Sequence, residues 1–499
     1  MPGQSVNCRS ALAVSLSAAA LLCGCATPVD PYATAPANAQ LAHADALGDC
    51  MRRLQEFDAR VDDARVRDAQ AARVDGYPFL RVDRFTASSR PAGTDPAYRA
   101  PAMIERMAAL DAEARGYEAT NARIGAAELP TLDRCRNQLV AAIGSGSRGV
   151  IDQARPPDAY DDALRIVGLY PLTQVPFSWG VASWQQSTRD LYATPFPELP
   201  VRGQRIRYLP SASGSGPVAG LLPVDGPTMT AARAWQLLEQ HAPVIVVDTV
   251  DENDRIGRLA WRMSGKDLFI AVDDRTPMAY ARVAWTQIGG AVMPQLVYTF
   301  WFPARPASHP LDLVAGRLDA VIWRVTLNAD GRPLVYDSIH ACGCFHMFFP
   351  TERVRERPGR LDHEGPLDET MFAPQVMHTP GPAERVIIYV GSGDHNIQRV
   401  AVDASEPAPG VPYALEDENG LRALALPAAA GGGTRSIYGP DGLVPGSERA
   451  ERFIFWPMGV PSAGQMRQWG HHATAFIGRR HFDDPRLIDR YFTLAPSAD

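Results

Sequence analysis

The sequence predicts an α+β protein: an N-terminal helical domain, then an antiparallel β-rich domain (sheet or sandwich) with C-terminal helices. Three observations predict it. Residues 40–143 carry apolar side chains at steps of three and four, the period of a helix face. Between 244 and 391, short segments rich in Val, Ile, Tyr and Trp follow one another without intervening helices of 10–15 residues. The tail, 463–493, returns to helical spacing. At 499 residues the chain has room for two or three domains, and 46% hydrophobic content suffices for their cores. A net charge of −7 argues against nucleic-acid binding, which needs a basic surface to displace counterions from phosphates. Lys266 is the only lysine, so arginine supplies nearly all the positive charge.

The N-terminus reads MPGQSVNCRSALAVSLSAAALLCGC. Arg9 precedes an apolar run from Ala11 to Leu22, too short for a membrane span of ~20 residues and right for a signal-peptide core. The run ends in Leu22-Cys23-Gly24-Cys25, which resembles the lipobox of bacterial lipoproteins. The resemblance covers residues 1–25. It implies that Cys25 becomes the mature N-terminus and carries acyl chains, each buried CH₂ contributing ~0.8 kcal/mol of membrane affinity. Ala26 rather than Asp follows, which in that pattern implies the outer membrane, facing the periplasm. Residues 26–39, rich in Pro, Ala and Thr, are expected to form a tether. The membrane is thus the one partner the sequence implies, and it identifies no protein partner.

The helical domain is expected over 40–208. Helix 40–66 aligns Leu47, Cys50, Met51, Leu54, Phe57 and Val61; helix 99–123 aligns Ile104, Met107, Leu110, Ala114 and Tyr117. Pro130 suits the first turn of a third helix, whose stripe is Leu132, Cys135, Leu139 and Ile143. Cys50 and Cys135 therefore face one core. Of seven cysteines, Cys8 and Cys23 leave with the leader and Cys25 is the anchor, so four remain, an even number for an oxidising compartment. A Cys50–Cys135 disulfide is the favoured pairing. The aromatic stretch 168–186 lacks clean periodicity and is read as a surface docked between domains.

A Ser, Gly and Pro-rich linker is expected at 209–227, followed by the β-rich domain, 228–499. It opens with a short helix, 228–240, and then strands VIVVDTV, DLFIAV, QLVYTFWF, DAVIWRVTL, PLVYDSIH and RVIIYVG. NADGR, 328–332, is a hairpin turn signal between two of them.

One stretch concentrates reactive side chains: DSIHACGCFHMFF, 337–349, with His340, Cys342, Cys344 and His346. Imidazole and thiolate are the donors that Zn, Cu or Fe sites use. On a straight strand the outer pair would lie ~20 Å apart, beyond the reach of one ion. A site therefore requires the strand to end near His340 and turn at Gly343, which tolerates positive φ. His395, in the loop GSGDH after RVIIYV, is the further expected ligand. His471, His472 and His481 are reserve ligands, and Asp337 and Asp394 are candidate acceptors for the imidazoles. The expectation is a lipid-anchored envelope protein with a Cys/His soft-metal or redox site. The competing readings are a non-enzymatic scaffold or partner-binding lipoprotein whose cysteines only staple the fold, and a hydrolase using His395 and a carboxylate. HExxH, GxSxG, the P-loop and a helix-opening GxGxxG are all absent, and no catalytic residues are identified.

Overall fold

The structure is a computed structural model that describes residues 30–89, 96–144, 147–211, 229–357, 365–381, 383–403 and 409–496. The lipobox with Cys25 and most of the expected linker lie outside these residues. No helix among the described residues is long and apolar enough to cross a membrane.

The fold is α+β. In the helical domain, α1 (Ala46–Asp63), α2 (Pro96–Asn121) and α3 (Leu129–Ile143) pack around Met51, Leu54, Phe57, Met107 and Leu139. Asp45 caps α1 by accepting from the Gly48 N–H at 2.8 Å. Cys50 and Cys135 form a disulfide between α1 and α3. Residues 76–85 contribute a hairpin strand, Tyr77–Val82, and part of a short helix. Of the segment 26–39 expected as a tether, the described residues 30–39 lie against the helical domain. Helix Ala35–Leu41 packs on the domain through buried Ala37, and the Tyr32 hydroxyl donates to Asp58 at 2.7 Å. An apolar anchor residue and an acceptor on α1 outweigh the turn-forming composition.

Below this core lies a buried ionic network. Asp111 accepts from Arg115 and Arg136, each at 2.8 Å, and from Arg81 at 3.4 Å. Asp58 takes Arg115 and Arg73, and Glu118 takes Arg81. Arg422, from the far end of the chain, clamps Asp68 with two bonds of 2.7 and 3.0 Å. That pair ties the helical domain to the sheet.

The sheet has ten strands: β1 (Gln204–Pro210), β2 (Val244–Thr249), β3 (Met278–Ile288), β4 (Ala291–Arg305), β5 (Gly316–Leu327), β6 (Pro333–His340), β7 (Met347–Pro350), β8 (Arg385–Val390), β9 (Ile397–Asp403) and β10 (Val411–Asp417). Their spatial order is β7-β6-β5-β4-β3-β10-β1-β2-β8-β9. The sheet is mixed rather than purely antiparallel. β10 lies parallel to both β1 and β3, and β2 parallel to β8. β1 lies before the linker, so the domain boundary expected near 208 falls inside the sheet. The expected strand DLFIAV instead pairs with Arg258–Ser264 in a separate hairpin.

Both faces of the sheet are buried. Leu296, Tyr298, Phe300, Val321 and Trp323 point into one core, with Leu238 of α5 (Ala231–His241). Val297, Trp301, Ala320 and Ile322 point into another. This explains unbroken apolar runs such as QLVYTFWF. Residues 375–377 bridge the sheet's two edge strands, β7 and β9. Met377 N–H donates to Pro350 O at 2.8 Å and Gln375 Nε2 to Val400 O at 2.7 Å.

Stretch 168–186 becomes most of α4 (Tyr170–Ala193), with Pro171 in its first turn and Pro176 inside. The segment 463–478, expected as helix, is turns and isolated bridges. Gly464, Gly470 and Gly478 take positive φ there, and Arg467 and Ala473 bridge to Leu443 and His481. The C-terminal helices are short, Arg452–Phe455 and Leu487–Tyr491.

Candidate dithiol site in a cavity

β6 ends at His340, and the chain turns through Ala341-Cys342-Gly343-Cys344 before β7. Gly343 N–H donates to His340 O at 2.7 Å, and His340 N–H to Cys344 O at 3.0 Å. Gly343 has φ +95°, and a Cβ there would stand 2.1 Å from Ala473 O. Only glycine fits this turn against the C-terminal segment.

Cys342 and Cys344 are free thiols. The Cys344 N–H points to Cys342 Sγ at 3.4 Å. The hydrogen bond with Cys342, then burial, pushes the Cys344 thiol well above the usual cysteine range. Cys344 thus keeps its proton. Buried Arg467 lies within electrostatic reach of both sulfurs.

The turn lines a cavity of about 530 Å³. α4 supplies one wall with Phe177, Val181 and Trp184; Trp184 packs on Phe345 and Phe372 at 5.5 and 5.3 Å between ring centroids. Phe455 and Phe476 supply another wall, 4.6 Å apart. The remaining wall is polar: His340, Asp319, Arg305, Arg449 and Glu451.

Asp319 organises that wall. His340 is opposite Val321 in the β5–β6 register, so His340 and Asp319 share a face of the sheet. Asp319 lies 3.6 Å from His340 Nδ1, 2.8 Å from His395 Nδ1 and 3.9 Å from Arg449 Nη2. Burial opposes its ionisation, but His340 and His395 outweigh it and hold the carboxyl well below its usual range. His395 sits behind Asp319, stacked on Phe302 at 3.9 Å, with Nε2 3.3 Å from Asp254. Burial favours its neutral form, yet Asp254 and Asp319 raise its pKa to about 9. His340 Nε2 and Arg449 Nη1 are buried without a hydrogen-bond partner among the described residues.

Burial pushes Glu451 up to about 7 against the pull of Arg449 and Arg305. Its folded pKa exceeds the ordinary 4.5, so the folded protein binds the extra proton between those values and stability falls as pH rises from 4.5 to 7. At ~1.4 kcal/mol per unit the fall is roughly 3 kcal/mol. Urea unfolding of Glu451→Gln across this window is expected to lose that fall; an unchanged slope would mean that Glu451 ionises normally.

The five expected metal donors are not gathered about one point. Asp337 and His340 are three apart on β6, so their side chains project from opposite faces. His346 goes with Asp337, at 3.0 Å, beside the Arg324 guanidinium. His395 is engaged by Asp319 and Asp254. Of the reserve ligands, His471 meets Ala69 O at 2.7 Å and His481 meets Asp158 at 2.9 Å. His472 is buried, and that burial lowers its pKa to about 3. Asp394 is used within its own loop, by Asn396. Among the described residues no cluster of three or more His, Cys, Asp or Glu side chains forms a metal-holding group. Nor does GSGDH form a triad: Ser392 Oγ donates to Asp248 at 3.1 Å.

Asp319, Asp254, Arg449, Glu451 and Trp184 were not singled out by sequence. Asp319, the charged residue at the head of the apolar strand DAVIWRVTL, was the one visible signal. Comparison of the chain with protein-family models, curated proteins and solved structures gives no match.

Proposed function

We propose that this chain is a lipid-anchored protein of the cell envelope, held at the outer membrane through Cys25, whose working group is the Cys342/Cys344 dithiol. The observation that carries the redox reading is that two free cysteines one residue apart, with the Cys344 N–H on Cys342 Sγ, stand in the wall of a ligand-sized cavity. Charge developing on Cys342 Sγ meets the Cys344 N–H, the Cys344 thiol and the field of Arg467.

The chemistry is thiol–disulfide exchange with an organic disulfide. Cys342 thiolate attacks one sulfur of the substrate; a mixed disulfide forms, the substrate S–S bond breaks, and one thiolate leaves and takes up a proton. Cys344 then attacks the Cys342 sulfur, and the proton it gives up goes to the second substrate thiolate as that leaves. Two electrons pass from the dithiol to the substrate, giving two thiols and a Cys342–Cys344 disulfide. A ring closed across one residue is strained, which makes that disulfide a ready oxidant in the reverse direction.

Cys344→Ser, incubated with oxidised glutathione, is expected to accumulate a glutathione adduct on Cys342, read by mass spectrometry. Cys342→Ser is expected to form little or none. Equal labelling of both variants would overturn the assignment of roles. Zn, Cu or Fe that copurifies with the wild type, but not with the double serine variant, would favour the soft-metal reading instead. For the anchor, Cys25→Ala is expected to move the protein from the membrane to the soluble envelope fraction; retention in the membrane would overturn it.

A further inference from the structure

We infer that the cavity beside the dithiol is a binding site for a long-chain carboxylate, an amphiphile with an apolar body and one anionic head. The inference goes beyond the redox reading and does not depend on it.

The walls divide by chemistry. Phe177, Val181, Trp184, Phe372, Phe455 and Phe476 form a continuous apolar surface contributed by α4, the 365–381 segment and the C-terminal region. The volume, about 530 Å³, falls within the range of small-ligand sites. Aromatic rings set edge-on or tilted leave an irregular channel, to which a flexible aliphatic chain conforms.

The polar wall has unused donors. Arg449 and His340 both approach Asp319 Oδ1, at 3.9 and 3.6 Å, which places them beside each other. Each is at least nine-tenths buried, lines the cavity and carries a nitrogen without a partner, Nη1 and Nε2 respectively. Cationic and imidazole side chains gathered at one end of an otherwise apolar cavity favour an anionic head there. The charge balance agrees. Arg305 and Arg449 face the cavity, while Asp319 is already met by His395 behind it. Glu369 lies on another part of the wall, where Phe476 N–H, Ile477 N–H and Arg480 occupy its oxygens. Glu451 is the one remaining carboxyl at the head end.

The test uses the delipidated full chain and the fluorescent fatty acid cis-parinarate. Saturable binding is expected, with palmitate displacing the probe and 1-hexadecanol displacing it about tenfold less well. Val181→Trp, on a half-exposed helix face, fills the cavity and is expected to weaken binding about tenfold or more. Arg449→Gln is expected to weaken palmitate without changing hexadecanol. Where Arg449→Gln fails to fold, judged by circular dichroism, Val181→Trp and the two competitors decide. Exchange with oxidised glutathione and binding of cis-parinarate are separate readouts, so failure of the redox reading and failure of this site are distinguishable. Absence of saturable binding, or unchanged binding by Val181→Trp, would overturn the site; equal displacement by the alcohol would overturn the anionic head.

Discussion

Asp111→Ala is expected to cost about 5 kcal/mol or more, enough to unfold the helical domain at moderate temperature. Removing one partner of a buried pair typically costs ~3–5 kcal/mol because the other charge is stranded. Asp111 serves three guanidiniums at once, those of Arg81, Arg115 and Arg136, all fully or almost fully buried. Burial raises the cost of its charge, but the three arginines win and hold the carboxyl far below its usual range. The sign follows. Its contribution is complete above the ordinary carboxylate pKa of about 4 and is lost only in strong acid. Asp133, which accepts from Arg136 at the exposed rim, is the control, where alanine is expected to cost under ~1 kcal/mol. Urea unfolding of both variants at neutral pH checks the comparison. Similar midpoints would show that the network is not the support of the domain.

The second large effect is expected at His395. Replacing it by leucine keeps contact with Phe302 but removes the imidazolium that stands between Asp254 and Asp319. The expected loss is ~3–5 kcal/mol near pH 6. His395 is the raised case, with a folded pKa of about 9 against an ordinary 6.5. Its stabilisation is full below pH 6.5 and fades as pH rises through 9. The wild type should therefore lose stability across that window while His395→Leu does not. Parallel curves for the two proteins would show that the imidazole is not charged in the fold. Because Asp319 also meets His340, the variant is expected to disturb the polar wall of the cavity as well.

Particular residues show how far the sequence could be read. Stripes such as Leu54, Phe57 and Leu139 placed the three main helices, because a helix buries one face and the spacing records it. The turn at Gly343 was expected only as the condition for a metal site; the turn is there, with φ +95°, but the five expected donors do not gather around it. The parallel contacts of β10 were not legible, since they join strands distant in sequence and leave no local signal. The helix expected at 463–478 failed because apolar spacing there belongs to a loop packed on the sheet, with glycines at its bends. At the site, proximity in sequence misled. His340 and His346 sit six apart but answer to carboxylates on opposite faces, while His395 joins His340 through Asp319. Arg449 enters from more than a hundred residues away, and only the folded chain brings it to the cavity.

The central claim is that Cys342 and Cys344 exchange two electrons as a pair. Its most direct measurement is equilibration of the full chain in glutathione buffers of graded potential, followed by alkylation and mass analysis of the 337–349 region. The account expects both thiols to lose alkylation together, in one two-electron transition, while Cys50 and Cys135 stay bonded. Thiols that remain alkylated in the most oxidising buffer, or that lose reactivity independently of one another, would contradict it.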